Sequence, residues 1–184
     1  SPTRSEVKIA HMENVKRQMK PGGLLTVLAV ISIIVSCAIG CAVPVGSQVG
    51  DNAPDFTLSI LDGGEIKLSD LRSKPVILSF WTTHCNACIY QMPFLEAASA
   101  ELGDEVSFIA IDMGENSYTV KAAVDYYGFD LQVALDSDES VSTDYNIIYT
   151  PTNVIIDEQG VIHYIRTGAF TSATEILNIF NDME

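Results

Sequence analysis

Basic side chains are scarce in this sequence of 184 residues, which contains ten Lys and Arg against 24 Asp and Glu and carries a formal net charge of −14. The imbalance is concentrated after Val43, where five basic residues stand against 22 acidic ones. A surface with this excess of negative charge repels the phosphates of nucleic acids and anionic lipid headgroups. We therefore expect no nucleic-acid partner.

Potential metal ligands are few as well, because the chain has four Cys and three His. Cys85 and Cys88 form a C-x-x-C pair, which is half of a common type of zinc site. A second C-x-x-C is absent from the sequence, and His11, His84 and His163 lack the spacing of zinc-finger ligands. The sequence therefore predicts no metal site.

Charged residues are absent between Leu24 and Val43, a stretch of 20 residues. As a helix this stretch would span about 30 Å, the thickness of the hydrocarbon core of a bilayer. Basic residues stand just before it and then not again until Lys67. Because positive residues stay on the cytoplasmic side, we predict a cytoplasmic segment at 1–23, a membrane segment at 24–43, and a folded domain on the extracytoplasmic side of a bacterial cell envelope.

Three interpretations of the apolar segment stay open: an uncleaved anchor, a cleaved signal peptide and a lipoprotein signal. An apolar residue and then a small residue precede both Cys37 and Cys41, a pattern that resembles the bacterial lipobox. Either Cys37 or Cys41 is therefore a candidate for lipidation. Residues 44–54 are rich in Gly, Pro and small polar residues and are predicted to be a linker, which leaves 55–184 as the folded domain.

The pattern of residues 55–184 is typical of an α/β domain. Continuous or alternating apolar runs predict strands, and apolar residues at helical spacing predict helices. We predict strands at Phe56–Leu58, Ile66–Leu68, Val76–Trp81, Val106–Asp112, Leu131–Leu135, Thr152–Ile156 and Val161–Arg166, and helices at Cys88–Leu102, Tyr118–Tyr127, Glu139–Tyr145 and Thr171–Met183. This order indicates a central mixed sheet covered on both faces.

Cys85 and Cys88 stand between the predicted strand Val76–Trp81 and the predicted helix that follows it. The N-terminus of a helix presents the positive end of its dipole and free backbone N–H groups, and both favour a thiolate. A thiolate attacks disulfides, and a second thiol one turn away resolves the mixed disulfide at high effective concentration. We expect a redox-active Cys85–Cys88 disulfide and no other cofactor.

Five stretches carry a family resemblance. They are APDFTL (Ala53–Leu58), LSDLRSKPVILSFW (Leu68–Trp81), CNAC (Cys85–Cys88), VSFIAIDMGEN (Val106–Asn116) and YTPTNVIIDEQGVI (Tyr149–Ile162). Together they resemble the TlpA/ResA-like membrane-anchored thioredoxins of the redoxin (AhpC/TSA) superfamily. The resemblance implies a thioredoxin fold, a central mixed β-sheet flanked by helices with an extra N-terminal β-hairpin.

The resemblance also implies an activity. Such proteins are thiol–disulfide oxidoreductases that act on exported protein substrates, often as reductants of apocytochrome c thiols during cytochrome c maturation. The expected partners are therefore protein thiols or disulfides, including apocytochrome c, a membrane electron donor, and the membrane itself through the N-terminal segment.

Carried over residue by residue, the resemblance assigns roles around the redox pair. Cys85 is the expected nucleophile and Cys88 the resolving thiol. Pro151 is the expected cis-proline beside the disulfide, and Thr150 before it supplies backbone contacts to a bound substrate. Trp81 is expected to flank the site.

Two positions depart from the family pattern. Ser79 stands where thioredoxin has a buried Asp, and Gln91 stands where ResA-like proteins have a Glu. No carboxylate is therefore predicted as the proton acceptor of Cys88, so that water or a residue distant in sequence would serve. With no anion nearby, Cys85 should lose its proton more readily than in a Glu-bearing relative, and a protonated His84 would add to this effect.

Two other functions fit parts of the pattern. A peroxiredoxin-like peroxidase would explain Thr82, three residues before Cys85, but its usual upstream Pro is replaced by Leu78. A copper-binding assembly protein of thioredoxin fold would use a distal His, for which His163 is available, but it would carry a C-x-x-x-C pair. The oxidoreductase agrees with both the spacing and the placement of the cysteines.

Overall fold

A computed structural model describes residues 43–183 of the chain. The predicted cytoplasmic segment at 1–23, nearly all of the predicted membrane segment at 24–43, and the lipidation candidates Cys37 and Cys41 lie outside the described residues. Within the described part, no helix is both long enough and apolar enough to cross a bilayer.

Seven strands and four helices form the described part of the chain. The strands are β1 (Thr57–Ile60), β2 (Glu65–Lys67), β3 (Val76–Trp81), β4 (Ser107–Met113), β5 (Gln132–Asp136), β6 (Thr152–Ile156) and β7 (Ile162–Thr167), and the helices are α1 (Asn86–Leu102), α2 (Ser117–Tyr127), α3 (Ser140–Asp144) and α4 (Ala173–Asn181). Each predicted element is present, and no end differs from its predicted position by more than two residues.

The strands form one mixed sheet in the order β2-β1-β5-β4-β3-β6-β7. The strands β3, β4 and β5 are parallel, whereas β6, β7 and the β1–β2 hairpin run antiparallel to their neighbours. All six residues of β3 are buried, because this strand lies between two others and both its faces are covered. At the carboxyl end of β3, Trp81 pairs with Asp112 of β4 and Phe80 pairs with Thr152 of β6.

Apolar side chains cover both faces of the sheet, as the alternation of strands and helices predicted. One cluster joins α1, α2 and α4 to the sheet, and it includes Cys88, Trp81 and Phe170. The other cluster lies on the opposite face of the sheet, where α3 and the segment before β1 pack against the strands, and it includes Phe80 and Tyr145. The sheet therefore forms the middle of three layers, and the C-x-x-C lies on the side of the first cluster.

Residues 44–54, predicted to be a linker, are hydrogen-bonded to the turn between β6 and β7. The amides of Gly50 and Ala53 donate to the carbonyls of Ile162 and Gly160 at 2.8 and 2.9 Å, and Asp51 accepts from Ile162 at 2.9 Å. This part of the chain is thus held on the sheet by backbone hydrogen bonds, although its composition is that of a linker.

A side chain caps the start of α4. The Ser172 side chain accepts from the Glu175 amide at 3.3 Å. The Glu175 carboxylate returns to the amide and hydroxyl of Thr171, at 3.1 and 2.7 Å, one residue earlier than in a standard capping box. The two contacts together anchor the last helix, whose Ile176 and Phe180 are buried in the core.

Replacing Ser172 by Ala should lower the free energy of unfolding by about 1 kcal/mol, because an N-cap hydroxyl satisfies a helix amide that otherwise has no partner. Urea unfolding followed by circular dichroism measures the change. Ser172→Asn retains a capping oxygen and should keep most of the free energy of unfolding that Ser172→Ala loses. An equal decrease in both variants would contradict the capping role.

Candidate active site

The redox pair lies where β3 leads into α1. Cys85 and Cys88 form a disulfide with an S–S distance of 2.08 Å. The helix begins at Asn86, two residues earlier than predicted, and Cys85 is its N-cap. The carbonyl of Cys85 accepts from the amides of Cys88 and Ile89 at 3.0 and 3.1 Å, and its sulfur accepts from the Cys88 amide at 3.1 Å. The Cys85 sulfur therefore lies at the N-terminal end of the helix, against the Cys88 amide and the positive end of the helix dipole.

The two sulfur-bearing residues differ in their exposure. Cys88 is fully buried in the cluster beneath α1, whereas Cys85 is partly exposed and Asn86 and Ala87 are exposed. A large reactant can therefore approach Cys85 but cannot reach Cys88. This asymmetry is what separates an attacking thiol from a resolving thiol.

A loop from another part of the chain reaches the same end of the sheet. The peptide bond between Thr150 and Pro151 is cis, as the resemblance implied. It directly precedes β6, whose first residue Thr152 pairs with Phe80 near the end of β3. The Thr152 hydroxyl donates to the carbonyl of Tyr149 at 2.7 Å and so closes the turn. Backbone pairing of β6 with β3 therefore brings Thr150 and Pro151 to the disulfide end of the sheet.

Trp81 lies beneath the site. Its side chain is fully buried, it shares an apolar cluster with Cys88, and its ring meets that of Phe129 edge-on at 5.9 Å. Its indole N–H has no hydrogen-bond partner among the described residues. Trp81 thus supports the redox pair from the core and presents no surface to a substrate.

Ser79 and Gln91, the two positions at which the family resemblance implied an acid, are in contact with each other. The Gln91 amide donates to the Ser79 hydroxyl at 2.8 Å and exchanges hydrogen bonds with the Asn153 side chain at 3.3 and 3.2 Å. The Gln91 oxygen also accepts from the Phe170 amide at 3.2 Å. All of these groups are buried, so an uncharged network ties α1 to β3, β6 and the loop before α4. Asn153 was not predicted as a site residue, although a single Asn within an apolar strand was a signal.

Glu115 joins the site from the loop after β4. Its carboxylate accepts from the Thr83 amide at 2.6 Å and from the Thr83 hydroxyl at 2.7 Å, and it lies 3.2 Å from Nδ1 of His84. Burial by itself would raise the pKa of Glu115, but the hydrogen bonds from Thr83 and the neighbouring Asp112 and His84 outweigh it and lower that pKa. The sequence did not predict this role, because Glu115 is 30 residues from Cys85.

Asp112 is the second acid at this end of the sheet. It is fully buried at the end of β4, and neither carboxyl oxygen has a donor among the described residues. Burial is the largest cause that raises the pKa of Asp112, and with the negative charges of the neighbouring Glu115 and Asp136 it brings that pKa to about 8. The structure thus places two carboxyl groups at the end of the sheet that carries the redox loop, and both come from a part of the chain that is distant in sequence from Cys88.

His163, the ligand that the copper-binding alternative would need, lies far from the redox pair. It follows Ile162, which pairs with Ile156, and Ile156 pairs with Val76 at the amino end of β3. Cys85 follows the carboxyl end of the same strand. Within residues 43–183, no cluster of three or more His, Cys, Asp or Glu could hold a metal ion.

A buried cysteine and a partly exposed cysteine, joined in a disulfide at the start of a helix on a sheet of this topology, define a thioredoxin-fold thiol–disulfide oxidoreductase. The chain belongs to the AhpC/TSA family, whose sequence profile matches residues 49–165. The family resemblance that the motifs indicated is thereby confirmed.

Known proteins similar to this chain agree with that class. The thioredoxin-like protein YneN of Bacillus subtilis is 35% identical over 130 residues, which cover 69% of this chain and 76% of YneN. The thiol-disulfide oxidoreductase ResA of Halalkalibacterium halodurans is 34% identical over 151 residues, 80% of this chain and 86% of ResA. Among solved structures, the exposed lipoprotein thioredoxin of Streptococcus pneumoniae is 28% identical with a TM-score of 0.61, and the match covers 70% of this chain and 99% of that one.

Proposed function

We propose that this oxidoreductase reduces disulfides in exported proteins, with Cys85 as the attacking thiol and Cys88 as the resolving thiol. The observation that carries the proposal is the difference in exposure between the two residues, because Cys85 is partly exposed and Cys88 is fully buried. An attacking sulfur must meet another protein, whereas a resolving sulfur has only to reach its neighbour one turn away.

The reaction follows from this arrangement. In the reduced protein the Cys85 thiolate attacks one sulfur of a substrate disulfide, and the other substrate sulfur leaves with the bonding electron pair and takes up a proton. Cys88 then loses its proton and attacks Cys85, which releases the second substrate thiol. The dithiol has lost two electrons and ends as the Cys85–Cys88 disulfide, and a membrane electron donor that returns two electrons completes the cycle.

Exposed apolar side chains before the Thr150–Pro151 peptide bond and on α1 support a protein substrate. Ile148 and Tyr149, directly before Thr150, are 71% and 69% exposed, and Tyr90 on α1 is 57% exposed. Exposed apolar side chains that form a contiguous patch mark surfaces that bind other proteins, and Ile148 and Tyr149 are neighbours in the chain. We propose that an extended segment of the substrate lies on these side chains and contacts the backbone of Thr150, and that Pro151 lies against the disulfide.

The compartment and the physiological substrate are part of the proposal. The uncharged segment at 24–43 with basic residues before it supports an anchor in the membrane and a domain on the outer side of a bacterial cell. A similar solved protein is described as an exposed lipoprotein. We propose apocytochrome c as a substrate on the basis of the ResA resemblance. Loss of mature c-type cytochromes on deletion of the gene would support this substrate, and a normal cytochrome content would exclude it.

The reduction potential of the Cys85–Cys88 pair tests the direction of electron flow. We expect a value near that of thioredoxin, roughly −270 mV, measured by equilibration with glutathione or dithiothreitol and trapping of the thiols. Such a value would make the protein a reductant in an oxidising compartment. A potential near that of DsbA, roughly −120 mV, would instead show that it oxidises its substrates.

A further inference from the structure

A groove lies on the face of the sheet opposite to α1, beside the edge strand β7. It has a volume of about 570 Å³ and two walls, residues 47–49 and residues 145–149, and it is also lined by Thr152, Ile165 and Thr167. Thr152 and Thr167 are partners across β6 and β7, and Ile165 packs against the core cluster of that face. The groove therefore lies between two loops and the end of the sheet that they cover.

Hydrogen bonds fix both walls of the groove. In the first wall, the Gln48 amide donates to the Asp51 carboxylate, and the Asp51 amide donates to the Gln48 carbonyl, both at 3.0 Å. The second wall begins at Tyr145, whose hydroxyl donates to the carbonyl of Pro54 at 2.8 Å. The two walls are therefore held in place by the fold itself.

The groove and the redox site share the turn that contains the cis peptide bond. Tyr149 and Thr152 both line the groove, and the Thr152 hydroxyl donates to the Tyr149 carbonyl at 2.7 Å. Thr150 and Pro151 lie between them, and strand pairing places this turn at the disulfide end of the sheet. A polypeptide that contacts the backbone of Thr150 therefore meets the groove one residue further along.

The lining of the groove determines which side chains it can accept. No lining residue is charged, although the chain after Val43 has 22 acidic residues against five basic ones. Val49 and Ile148 in the two walls are 61% and 71% exposed, so part of each apolar side chain faces water. Covering such surface with another apolar side chain is favourable, whereas a charged side chain would lose hydration without gaining a partner. The groove thus suits an uncharged, apolar segment.

We propose that this groove binds an apolar segment of the substrate polypeptide, next to the cysteine that Cys85 attacks, and so selects among disulfide-bonded substrates. The proposal rests on Cys85 as the attacking thiol and deepens the function given above, because it names the class of sequence that the oxidoreductase prefers. An extended chain advances about 3.3–3.6 Å per residue, and the groove begins one residue from Thr150. The selected side chains should therefore lie roughly two to four residues from the substrate cysteine.

A second copy of this chain is less suited to the groove than a substrate segment. The excess of acidic residues after Val43 makes two copies repel each other. A substrate, by contrast, is already held at Thr150 and Cys85, so its neighbouring residues meet the groove at high effective concentration. The favoured occupant is therefore the substrate itself.

The test uses the reduced full-length chain carrying Cys37→Ala and Cys41→Ala, and two synthetic peptides. Each peptide has a single cysteine joined by a disulfide to glutathione, and the two differ only in having leucine or serine at the second to fourth positions on both sides of it. In a single turnover, one protein dithiol yields the peptide thiol, glutathione and the Cys85–Cys88 disulfide, and chromatography follows the peptide thiol. We expect the leucine peptide to react roughly tenfold faster or more, because its side chains bury apolar surface in the groove.

Matched variants show whether the groove causes this preference. Val49→Asp places a charge in the groove and should reduce the ratio of the two rates to below about twofold. Val45→Asp is the control, because Val45 is 71% exposed in the same segment but does not line the groove, and the ratio should stay near that of the parent. A ratio close to one in the parent, or an equal fall in both variants, would overturn the proposal.

Failure of the groove and failure of the proposed function give different results. If neither peptide is reduced, Cys85 is not the attacking thiol of a reductant, and the function itself fails. If both peptides are reduced at equal rates, the function stands and the groove does not select. Self-association measured by sedimentation, lost in Val49→Asp and kept in Val45→Asp, would assign the groove to a second copy and would also overturn the proposal.

Discussion

Replacing Cys85 by Ser should lower the rate of disulfide reduction by roughly 10³-fold or more, because the attacking thiolate is lost and a buried thiol cannot take its place. Cys88→Ser should have a different effect. Its Cys85 still attacks, but the mixed disulfide has no resolving thiol and accumulates. The measurement is turnover with a disulfide-bonded protein substrate, together with non-reducing electrophoresis to detect the covalent complex.

The difference in exposure between Cys85 and Cys88 predicts which of the two variants traps the substrate. Cys85 is partly exposed and Cys88 has no exposed surface, so only the Cys88→Ser variant should trap substrate. A chain carrying Cys37→Ala and Cys41→Ala is the matched parent, since it removes the two other thiols and leaves the redox pair intact. Equal trapping by Cys85→Ser and Cys88→Ser would contradict the assignment of the two roles.

Replacing Gln91 by Leu should lower the free energy of unfolding by about 3 kcal/mol. The Gln91 side chain bonds to Ser79, Asn153 and the Phe170 amide, all within the core. Each buried polar group that loses its partner costs roughly 1–3 kcal/mol, and Leu offers no replacement. Urea unfolding of the oxidised protein measures the loss.

A matched substitution separates the effect of losing the hydrogen-bond network from the effect of replacing a Gln by Leu. Gln132→Leu alters an exposed Gln at the start of β5 and should change the free energy of unfolding by less than about 0.5 kcal/mol. Gln91→Glu keeps an acceptor for Phe170 and for Asn153. At a pH low enough to protonate the new carboxyl, its free energy of unfolding should lie between those of Gln91→Leu and Gln132→Leu. Equal stability of Gln91→Leu and Gln132→Leu would show that the network contributes nothing.

Gln91 and Ser79 also bear on the chemistry of the redox pair. Gln91 lies three residues after Cys88 on the same helix, and its neighbours are uncharged. The acids of this site instead lie on the next strand and its loop, at Asp112 and Glu115. The sequence left water or a residue distant in sequence as the proton acceptor of Cys88, and the two acids enter from such a distant part of the chain.

The strands and the redox pair could be predicted from the sequence because their signals are local. A nearly continuous apolar run such as Val76–Trp81, interrupted only by Ser79, is typical of a strand with both faces covered. Two cysteines three residues apart at the start of a helix can close a disulfide whatever the rest of the fold does. The class of fold, the positions of Cys85 and Cys88, and the importance of Pro151 followed from such patterns together with the family resemblance.

Only the tertiary structure decided how distant segments meet. Strand pairing brings Asp112 to Trp81 and Thr152 to Phe80, and no periodicity in the sequence specifies those registers. The same is true of residues 44–54, whose composition indicates a linker but whose backbone hydrogen bonds hold them on the β6–β7 turn. Side-chain charge and spacing are properties of the sequence, whereas burial and partners, which set the pKa of Asp112 and the role of Gln91, exist only once the sheet has formed.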